Sequence, residues 1–451
     1  MSATRSIDVQ DVINRHGVSG FQVRIVLLCF LVVAIDGFDT AAIGYIAPAL
    51  RAQWQLGQAQ LAPLFGAGLF GLMVGAFLFG PLADRIGRKA MLVATTAFFG
   101  LASLASAWST SIEMLTVLRF VTGLGLGGAM PNAITLTSEY CPEQRRSFLT
   151  MAMFCGFTVG SALGGFAAAH LIADHGWTSV LVLGGILPLA LTPLLALGLP
   201  ESVRFLVLRQ APADRVAALL RRIAPGEDLS GARFTGIAAA KGSPIGQLFQ
   251  PGLVAGTLCL WLTFFMSLLI FYLLSSWLPT IISSAGLSLK EASLITVMLA
   301  TGGTVGGLVL GALMDRANPH AVLGLSYLCA AGFVALIGSA TGSVALLAVA
   351  VFGAGFCVAG SQIGINALAA SYYPTASRAT GVSWANAVGR VGSVAGSMIG
   401  ASLLGLGLGL PATFGLVAVP ALIAALSIGL KGRLVRPLLP LAAAAPAVQR
   451  S

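Results

Sequence analysis

Long apolar runs recur along this chain of 451 residues and constrain what it can fold into. About 20 consecutive apolar residues are enough to cross the hydrocarbon core of a bilayer as a helix. Charged residues make up only 9% of the chain, against about 25% in a typical soluble protein. The sequence therefore predicts an all-α integral membrane protein with twelve spans. The predicted spans are 24–50, 61–82, 90–108, 112–137, 147–171, 177–199, 252–283, 289–313, 320–340, 343–370, 379–403 and 411–430.

The predicted spans form two sets of six that repeat each other. Residues 1–199 are predicted as an N-terminal half, 200–251 as a central cytoplasmic loop, and 252–451 as a C-terminal half with a short tail. A Gly-x-x-x-Asp-Arg motif at 80–85 returns at 311–316, an offset of 231 residues. Two six-helix repeats in parallel are typical of transporters that bind their substrate near the bilayer midplane.

Basic residues are distributed unevenly between the two ends of the predicted helices. If both termini are cytoplasmic, all but four of the 25 Lys and Arg residues lie on that side or in the loops facing it. Arg51 and Lys290 lie on the other side, whereas Arg119 and Arg390 lie inside spans. Because cytoplasmic loops are enriched in Lys and Arg, this asymmetry predicts the orientation. It also accounts for the net charge of +10 without a nucleic acid partner.

Two carboxylates lie in the middle of the first predicted span. Asp36 and Asp39 are three residues apart, so a helix places them on one face. A charge at that depth costs roughly 2.5–3.5 kcal/mol even on the insertion scale, and such residues usually face a bundle interior or a watery cavity. We predict that both couple transport to protons. The alternative is a structural role, in which they cap a kink or pair with an arginine.

Two arginines are predicted at the same depth as these carboxylates. A carboxylate that is buried and also close to an arginine can take up a proton on one side of the membrane and release it on the other. Arginine itself stays protonated, but it can hold a carboxylate through two parallel hydrogen bonds. We assign Arg390 to a substrate carboxylate, and Arg119 either to substrate or to tuning an aspartate. The alternative is a static salt bridge between Asp39 and Arg119.

Several motifs resemble those of one transporter family. Residues 80–89, Gly-x-x-x-Asp-Arg-x-Gly-Arg-Lys, resemble the loop motif of the major facilitator superfamily. Residues 119–125 resemble the fourth-span motif of its proton-coupled members, and 200–205, Pro-Glu-Ser-x-Arg-Phe, resemble the motif that closes the sixth span in sugar and organic-acid branches. Residues 36–44, Asp-Gly-Phe-Asp-Thr-Ala-Ala-Ile-Gly, are similar to the aromatic acid/proton symporter family.

This resemblance implies the major facilitator fold, with two pseudo-symmetric halves, and a function. It implies import of benzoate-like acids such as 4-hydroxybenzoate or protocatechuate, by proton symport with alternating access, across the inner membrane of a bacterium that degrades aromatics. Aromatic side chains could stack on the ring and amides could bond its hydroxyls, although such residues often only pack helices together. The predicted substrate-binding residues are Arg390, Arg119, Phe154, Trp384, Asn386 and Gln362.

Charged residues at the cytoplasmic ends of spans are the predicted gate. By the resemblance they form an ionic latch, and the alternative is a solvated cluster that only sets orientation. They are Asp84, Arg85, Arg88, Glu139, Arg145 and Arg146, with Asp315, Arg316 and Arg378 in the second half. The second half departs from the family motif at 317–320, Ala-Asn-Pro-His, which leaves open how well the two gates match.

Other functions compete with proton-coupled import. A proton-driven efflux pump would favour acids over arginines in its cavity, so Arg390 argues against it. A membrane receptor for aromatic acids would need a signalling domain, which the short tail does not offer. Neither a nucleotide loop, a metal cluster nor a nucleophile constellation is recognisable, so we expect no enzyme and no cofactor. We expect the partners to be an aromatic carboxylate, protons and the lipid bilayer, with the protein acting as a monomer.

Overall fold

The computed structural model describes residues 6–434, apart from 228, 230, 236–244 and 375–376. Twelve of its helices, each with at least 19 residues, are long and apolar enough to cross a membrane. The prediction of an all-α membrane fold is confirmed, whereas the predicted tail beyond 434 lies outside the described residues. In chain order the helices are α1 (Val9–Arg15), α2 (Gly20–Trp54), α3 (Gln58–Ile86), α4 (Arg88–Ser106), α5 (Ile112–Tyr140), α6 (Glu143–His175), α7 (Thr178–Gly198), α8 (Val203–Leu208), α9 (Ala213–Arg221), α10 (Ile245–Leu248), α11 (Val254–Ser284), α12 (Leu289–Met314), α13 (Pro319–Ser339), α14 (Val344–Tyr372), α15 (Arg378–Gly405) and α16 (Leu410–Leu434).

The central loop contains more structure than the sequence indicated. Besides α8, α9 and α10, it holds the strand β2 (Arg233–Thr235), which pairs in parallel with β1 (Ser6–Asp8) at the start of the chain. The Thr235 hydroxyl also donates to the carbonyl of Ile7 at 3.4 Å, across 228 residues of sequence. Three-residue strands with a partner that distant carry no recognisable local pattern, so this pairing was not predicted.

The helix α2 extends beyond its apolar run because polar residues cap it. The Ser19 hydroxyl accepts from the Gln22 N–H, and the Gln22 side chain accepts from the Ser19 N–H at 2.7 Å, which completes a capping box. At the other end Gln55 adopts a left-handed conformation with φ of 52°. The resulting helix has 35 residues and keeps Asp36 and Asp39 near its middle.

Glycines let the helices of each set approach at equivalent places in the repeat. A Cβ at Gly123 of α5 would overlap the carbonyl oxygen of Gly68 in α3. In the same way, a Cβ at Gly355 of α14 would overlap the carbonyl oxygen of Leu299 in α12. Small residues allow such close backbone packing between membrane helices. The two sets α2–α7 and α11–α16 therefore share a packing scheme as well as a motif.

The two sets of six helices meet mainly at one end of the bundle. We call the end where α2 begins and α3 ends the basic face, and the other end the opposite face. At the opposite face the Phe65 ring packs edge-on against Trp277 with centroids 5.0 Å apart, and Arg51 donates to the Ser284 hydroxyl at 3.3 Å. At mid-depth the Thr304 hydroxyl donates to Thr158 at 2.7 Å. Within the described ranges no ion pair joins the two sets at the basic face.

Candidate functional site

Asp39 and Arg119 form a buried ion pair in the middle of the first set. Arg119 Nη2 and Nη1 donate to Asp39 Oδ2 and Oδ1 at 2.7 and 3.1 Å, and Nη2 also donates to the Asp39 carbonyl at 3.1 Å. The Ser103 hydroxyl of α4 adds a hydrogen bond to Oδ1 at 2.7 Å. Asp39 is 0% and Arg119 2% exposed. Both prongs of the guanidinium therefore bind Asp39, which is the salt bridge that the sequence left open as an alternative.

Asp36 lies one turn away with far fewer partners. Its Oδ1 accepts a hydrogen bond from the Thr40 hydroxyl at 3.1 Å, and its side chain is completely buried. Its Oδ2 has no hydrogen-bond partner in the described part of the chain. A buried polar oxygen without a donor is costly, and protonation would relieve that cost because the protonated oxygen becomes a donor itself. The two carboxylates of the first span therefore occupy different chemical environments.

Arg390 of α15 is the fourth charged residue at this depth. Its Nη1 donates to the Tyr272 hydroxyl of α11 at 3.2 Å, and its Nη2 lies 3.5 Å from the Met130 sulfur of α5. Among the described residues no carboxylate lies within ion-pair distance of this guanidinium. Through these contacts with Tyr272 and Met130, Arg390 lies where the second set faces the first. Arg390 is half-buried and is therefore a cation that a ligand anion can reach.

Polar amides line the contact between α14 and α15. The Asn386 side chain donates to Asn366 Oδ1 and to the Val382 carbonyl, both at 3.0 Å. The Asn366 amide in turn donates to the Gln362 carbonyl at 2.7 Å. Both amide protons of Asn386, a predicted substrate ligand, are thus used within the protein. Gln362 Oε1, by contrast, is buried and has no partner within the described ranges.

The two predicted ring contacts keep much of their surface free of protein neighbours. Trp384 of α15 stacks on Trp261 of α11, with centroids 6.0 Å apart and planes 21° from parallel. Trp384 is 39% and Phe154 of α6 37% exposed. By helical rise Trp384 lies about 9 Å along α15 from the end at the basic face. Trp384 therefore lies nearer to that face than Arg390 does.

Part of the predicted gate is assembled at the basic face of the first set. Arg88 Nη2 lies 2.7 Å from Asp84 Oδ1, and Arg88 Nε lies 3.9 Å from Glu139 Oε1. The Ser202 hydroxyl donates to Glu139 Oε2. The end of α3, the start of α4, the end of α5 and the start of α8 are connected through these four side chains.

Glu201 is a further part of this cluster that the sequence reasoning did not single out. Its Oε1 accepts from the N–H groups of Lys89 and Ser202 at 3.1 and 2.9 Å, and its carbonyl accepts from the Tyr140 hydroxyl at 2.6 Å. Gly87 has a φ of 107°, and a Cβ there would overlap the Glu201 carboxylate. The glycine in the loop motif and the glutamate in the 200–205 motif therefore fit each other, which suggests why both motifs occur in one chain.

The remaining predicted gate residues are not brought into this cluster. The Arg146 guanidinium lies 4.0 Å from Glu143, and the Arg85 carbonyl accepts from Arg209 at 2.5 Å. Arg145 is exposed. In the second set Asp315, Arg316 and Arg378 are all exposed, and the described residues include no ion pair to any of them.

Three residues that complete the midplane site were not predicted as site residues. Thr40 is four residues from Asp36, a spacing that could have suggested its hydrogen bond. Ser103 and Tyr272 lie on other helices, and Ser103 is 64 residues from Asp39 in sequence. Nothing local distinguishes these two from other hydroxyls in the spans.

The comparisons with known proteins agree with this architecture. The sequence model of the Major Facilitator Superfamily matches residues 29–353 and 260–447. The chain is 48% identical over 435 residues to the 4-hydroxybenzoate transporter PcaK of Pseudomonas aeruginosa, covering 96% of this chain and 97% of that one. It is also 48% identical over 424 residues to a gallate transporter of Pseudomonas putida, covering 94% of each.

A solved structure supports the fold. The inward open conformation of the xylose transporter XylE from E. coli superimposes with a TM-score of 0.73 at 19% sequence identity, over 90% of this chain and 95% of that one. At that identity the likeness concerns the fold alone. Taken with the family match and the 48% identical relatives, it makes the chain a multi-pass membrane transporter and not an enzyme. The chain belongs to the major facilitator superfamily, in the branch whose named members include transporters of 4-hydroxybenzoate and of gallate.

Proposed function

We propose that this protein imports hydroxylated aromatic carboxylates together with protons. The observation that carries the proposal is Arg390, a mid-depth cation at the contact between the two sets with no carboxylate partner among the described residues. A ring acid arriving from outside supplies the missing anion. The names of the relatives, transporters of 4-hydroxybenzoate and of gallate, support an aromatic carboxylate as that anion.

The two carboxylates have different roles in this proposal. Asp39 is held by Arg119 and Ser103 through four hydrogen bonds, so it helps to position α2, α4 and α5 and leaves Arg119 no free prong for substrate. Asp36 has an oxygen to which no described residue donates, and that oxygen becomes a donor itself when it is protonated. Asp36 is therefore the proposed proton carrier, and Asp39 supports it by keeping the Arg119 charge neutralised nearby.

The substrate-binding roles follow the geometry around Arg390. The guanidinium binds the substrate carboxylate, and the Tyr272 hydroxyl at 3.2 Å orients it. The Phe154 and Trp384 rings have free surface on which an aromatic substrate can stack. Asn386 contributes by joining α14 to α15, because its amide protons are already bonded.

Transport proceeds by alternating access between the two halves, 1–199 and 252–451, joined by the central loop. We propose the orientation in the bacterial inner membrane that places the basic face and both termini in the cytoplasm, as the distribution of Lys and Arg favours. The contacts between the halves at the opposite face then close the periplasmic side, so the described conformation faces inward. The gate cluster of Asp84, Arg88 and Glu139 holds the first half together on the cytoplasmic side, and a single chain suffices for the cycle.

Uptake into proteoliposomes tests this function. An imposed inside-alkaline pH gradient is expected to drive accumulation of labelled 4-hydroxybenzoate, and a protonophore is expected to abolish the accumulation. Asp36→Asn is expected to lose the gradient-driven accumulation while it retains exchange of labelled for unlabelled acid. Accumulation that is insensitive to the protonophore would contradict proton symport, and failure of the wild-type protein to bind or exchange any ring acid would contradict the substrate class.

A further inference from the structure

The level of Gln362 in the bundle follows from a hydrogen bond between two neighbouring helices. The bond from Asn386 to Asn366 places these residues at the same depth on α15 and α14, which run in opposite directions. Gln362 is four residues before Asn366, and Arg390 is four residues after Asn386. Each is therefore about 6 Å, or one turn, farther from the basic face. Gln362 and Arg390 consequently lie at the same level on adjacent helices.

Gln362 and Arg390 also lie on the helix faces through which α14 and α15 contact each other. Residues four apart lie on one face of a helix, so Gln362 shares a face of α14 with Asn366, and Arg390 shares a face of α15 with Asn386. Those two faces are in contact at the asparagine pair, and helices packed together are about 8–10 Å apart between axes. A ring acid whose carboxylate binds Arg390 can therefore direct the other end of its ring toward α14.

The chemistry of the two groups is complementary to such a ring. Arg390 has donors but, within the described ranges, no carboxylate to receive them. Gln362 Oε1 is a buried acceptor with no donor in the part of the chain that the structure describes. A phenolic O–H is a donor, and an unsubstituted ring edge is not. A buried acceptor left unpaired is costly, so a ligand that supplies the donor is preferred over one that does not.

We propose that Gln362 recognises the ring hydroxyl of the substrate whose carboxylate binds Arg390, and thereby selects hydroxylated ring acids over benzoate. This inference rests on the proposed function, because it needs the carboxylate at Arg390. In this proposal α14 determines which ring acid is preferred, and the neighbouring α15 binds the carboxylate of that acid. The hydroxyl lies at the end of the ring opposite the carboxylate, as in 4-hydroxybenzoate.

Binding measurements on purified full-length protein with benzoate and 4-hydroxybenzoate test the inference. The wild-type protein is expected to bind 4-hydroxybenzoate about ten-fold more tightly than benzoate, as one buried hydrogen bond allows. Gln362→Leu removes the acceptor at nearly constant volume. It is expected to weaken 4-hydroxybenzoate about ten-fold and to leave benzoate affinity nearly unchanged, so the preference disappears. Gln362→Met repeats the test if the leucine variant does not fold.

Asn366→Leu is the matched control, because it removes an amide one turn away whose atoms are already bonded. It is expected to shift the affinities for both acids together and to preserve their ratio. An unchanged ratio in both folded Gln362 variants overturns the role of Gln362 alone, since binding of ring acids would persist. Failure of the wild-type protein to bind either acid overturns the proposed function and this inference with it.

Discussion

The two six-helix sets share a fold but differ in how they treat charge at the basic face. In the first set Arg88 bridges Asp84 and Glu139. At the repeat offsets of 231 and 232 residues, the positions of Arg88 and Glu139 hold Pro319 and Ser371. The described residues of 254–434 accordingly contain no ion pair. The two sets therefore share glycine packing between helices, whereas among the described residues the ion pairs of the predicted gate lie in the first set.

The same contrast holds at the midplane. The charges of Asp39 and Arg119 neutralise each other within the first set, and both are buried. Among the described residues, the side chain of Arg390 in the second set has a tyrosine hydroxyl and a thioether as its partners, and it is half-buried. A neutralised pair can stabilise the fold and tune a neighbouring acid, whereas a cation without an anion can bind one. In the proposed function, this difference assigns proton coupling to the first set and substrate binding to the second.

The largest expected effect comes from breaking the neutralised pair. Arg119→Ala would leave the Asp39 carboxylate buried without its cation, and removing one partner of a buried ion pair costs about 3–5 kcal/mol of stability. We expect a marked fall in the thermal unfolding midpoint of the detergent-purified protein. The double variant Asp39→Asn with Arg119→Leu should recover much of that loss. An Arg119→Ala protein as stable as the wild type would show that Asp39 does not depend on the pair.

The next effect sharpens the contrast by removing the unpaired cation. Arg390→Ala should cost less stability than Arg119→Ala, since among the described residues no carboxylate lies within ion-pair distance of Arg390, but it should weaken binding of 4-hydroxybenzoate about 30-fold or more. That factor corresponds to the lower end of the roughly 2–5 kcal/mol lost on truncating one side of a buried charge pair. Arg390→Lys should recover only part, because an ammonium lacks the two-pronged geometry. Calorimetric titration measures both variants, and wild-type affinity in Arg390→Ala would place the carboxylate elsewhere.

The smallest effect compares the two gates. Glu139→Gln removes the charge that Arg88 and Ser202 contact, and hydrogen bonds to charged groups contribute about 1.5–3 kcal/mol. We expect the initial uptake rate to fall about ten-fold with little change in substrate affinity. Ser371→Ala, at the equivalent position of the second set, should keep the uptake rate near that of the wild type. Equal slowing by both variants would show that the gates are functionally alike.

Much of the architecture could be predicted because the relevant signals are local. The free energy of transferring a side chain into lipid depends on that side chain itself, so twelve apolar runs in the sequence were enough to predict the twelve spans. The glycine and loop motifs repeated at offsets of 231 and 232 residues, and residues 36–44 indicated the branch of the family. Some spans were predicted too short, the first among them, since capping residues such as Ser19 and Gln22 extend that helix past its apolar part.

Only the tertiary structure decided which charges meet. Four charged residues at one depth allowed several pairings, and the sequence left the Asp39–Arg119 bridge as one alternative among them. The fold brings Arg119 to Asp39 across 80 residues and Ser103 across 64, and no described residue donates to the second oxygen of Asp36. The fold also satisfies both amide protons of Asn386, whereas Gln362 Oε1 has no donor within the described ranges. Hydropathy records the depth of a residue in the membrane, but hydrogen bonding depends on which helix faces meet, and that is a property of the packed bundle.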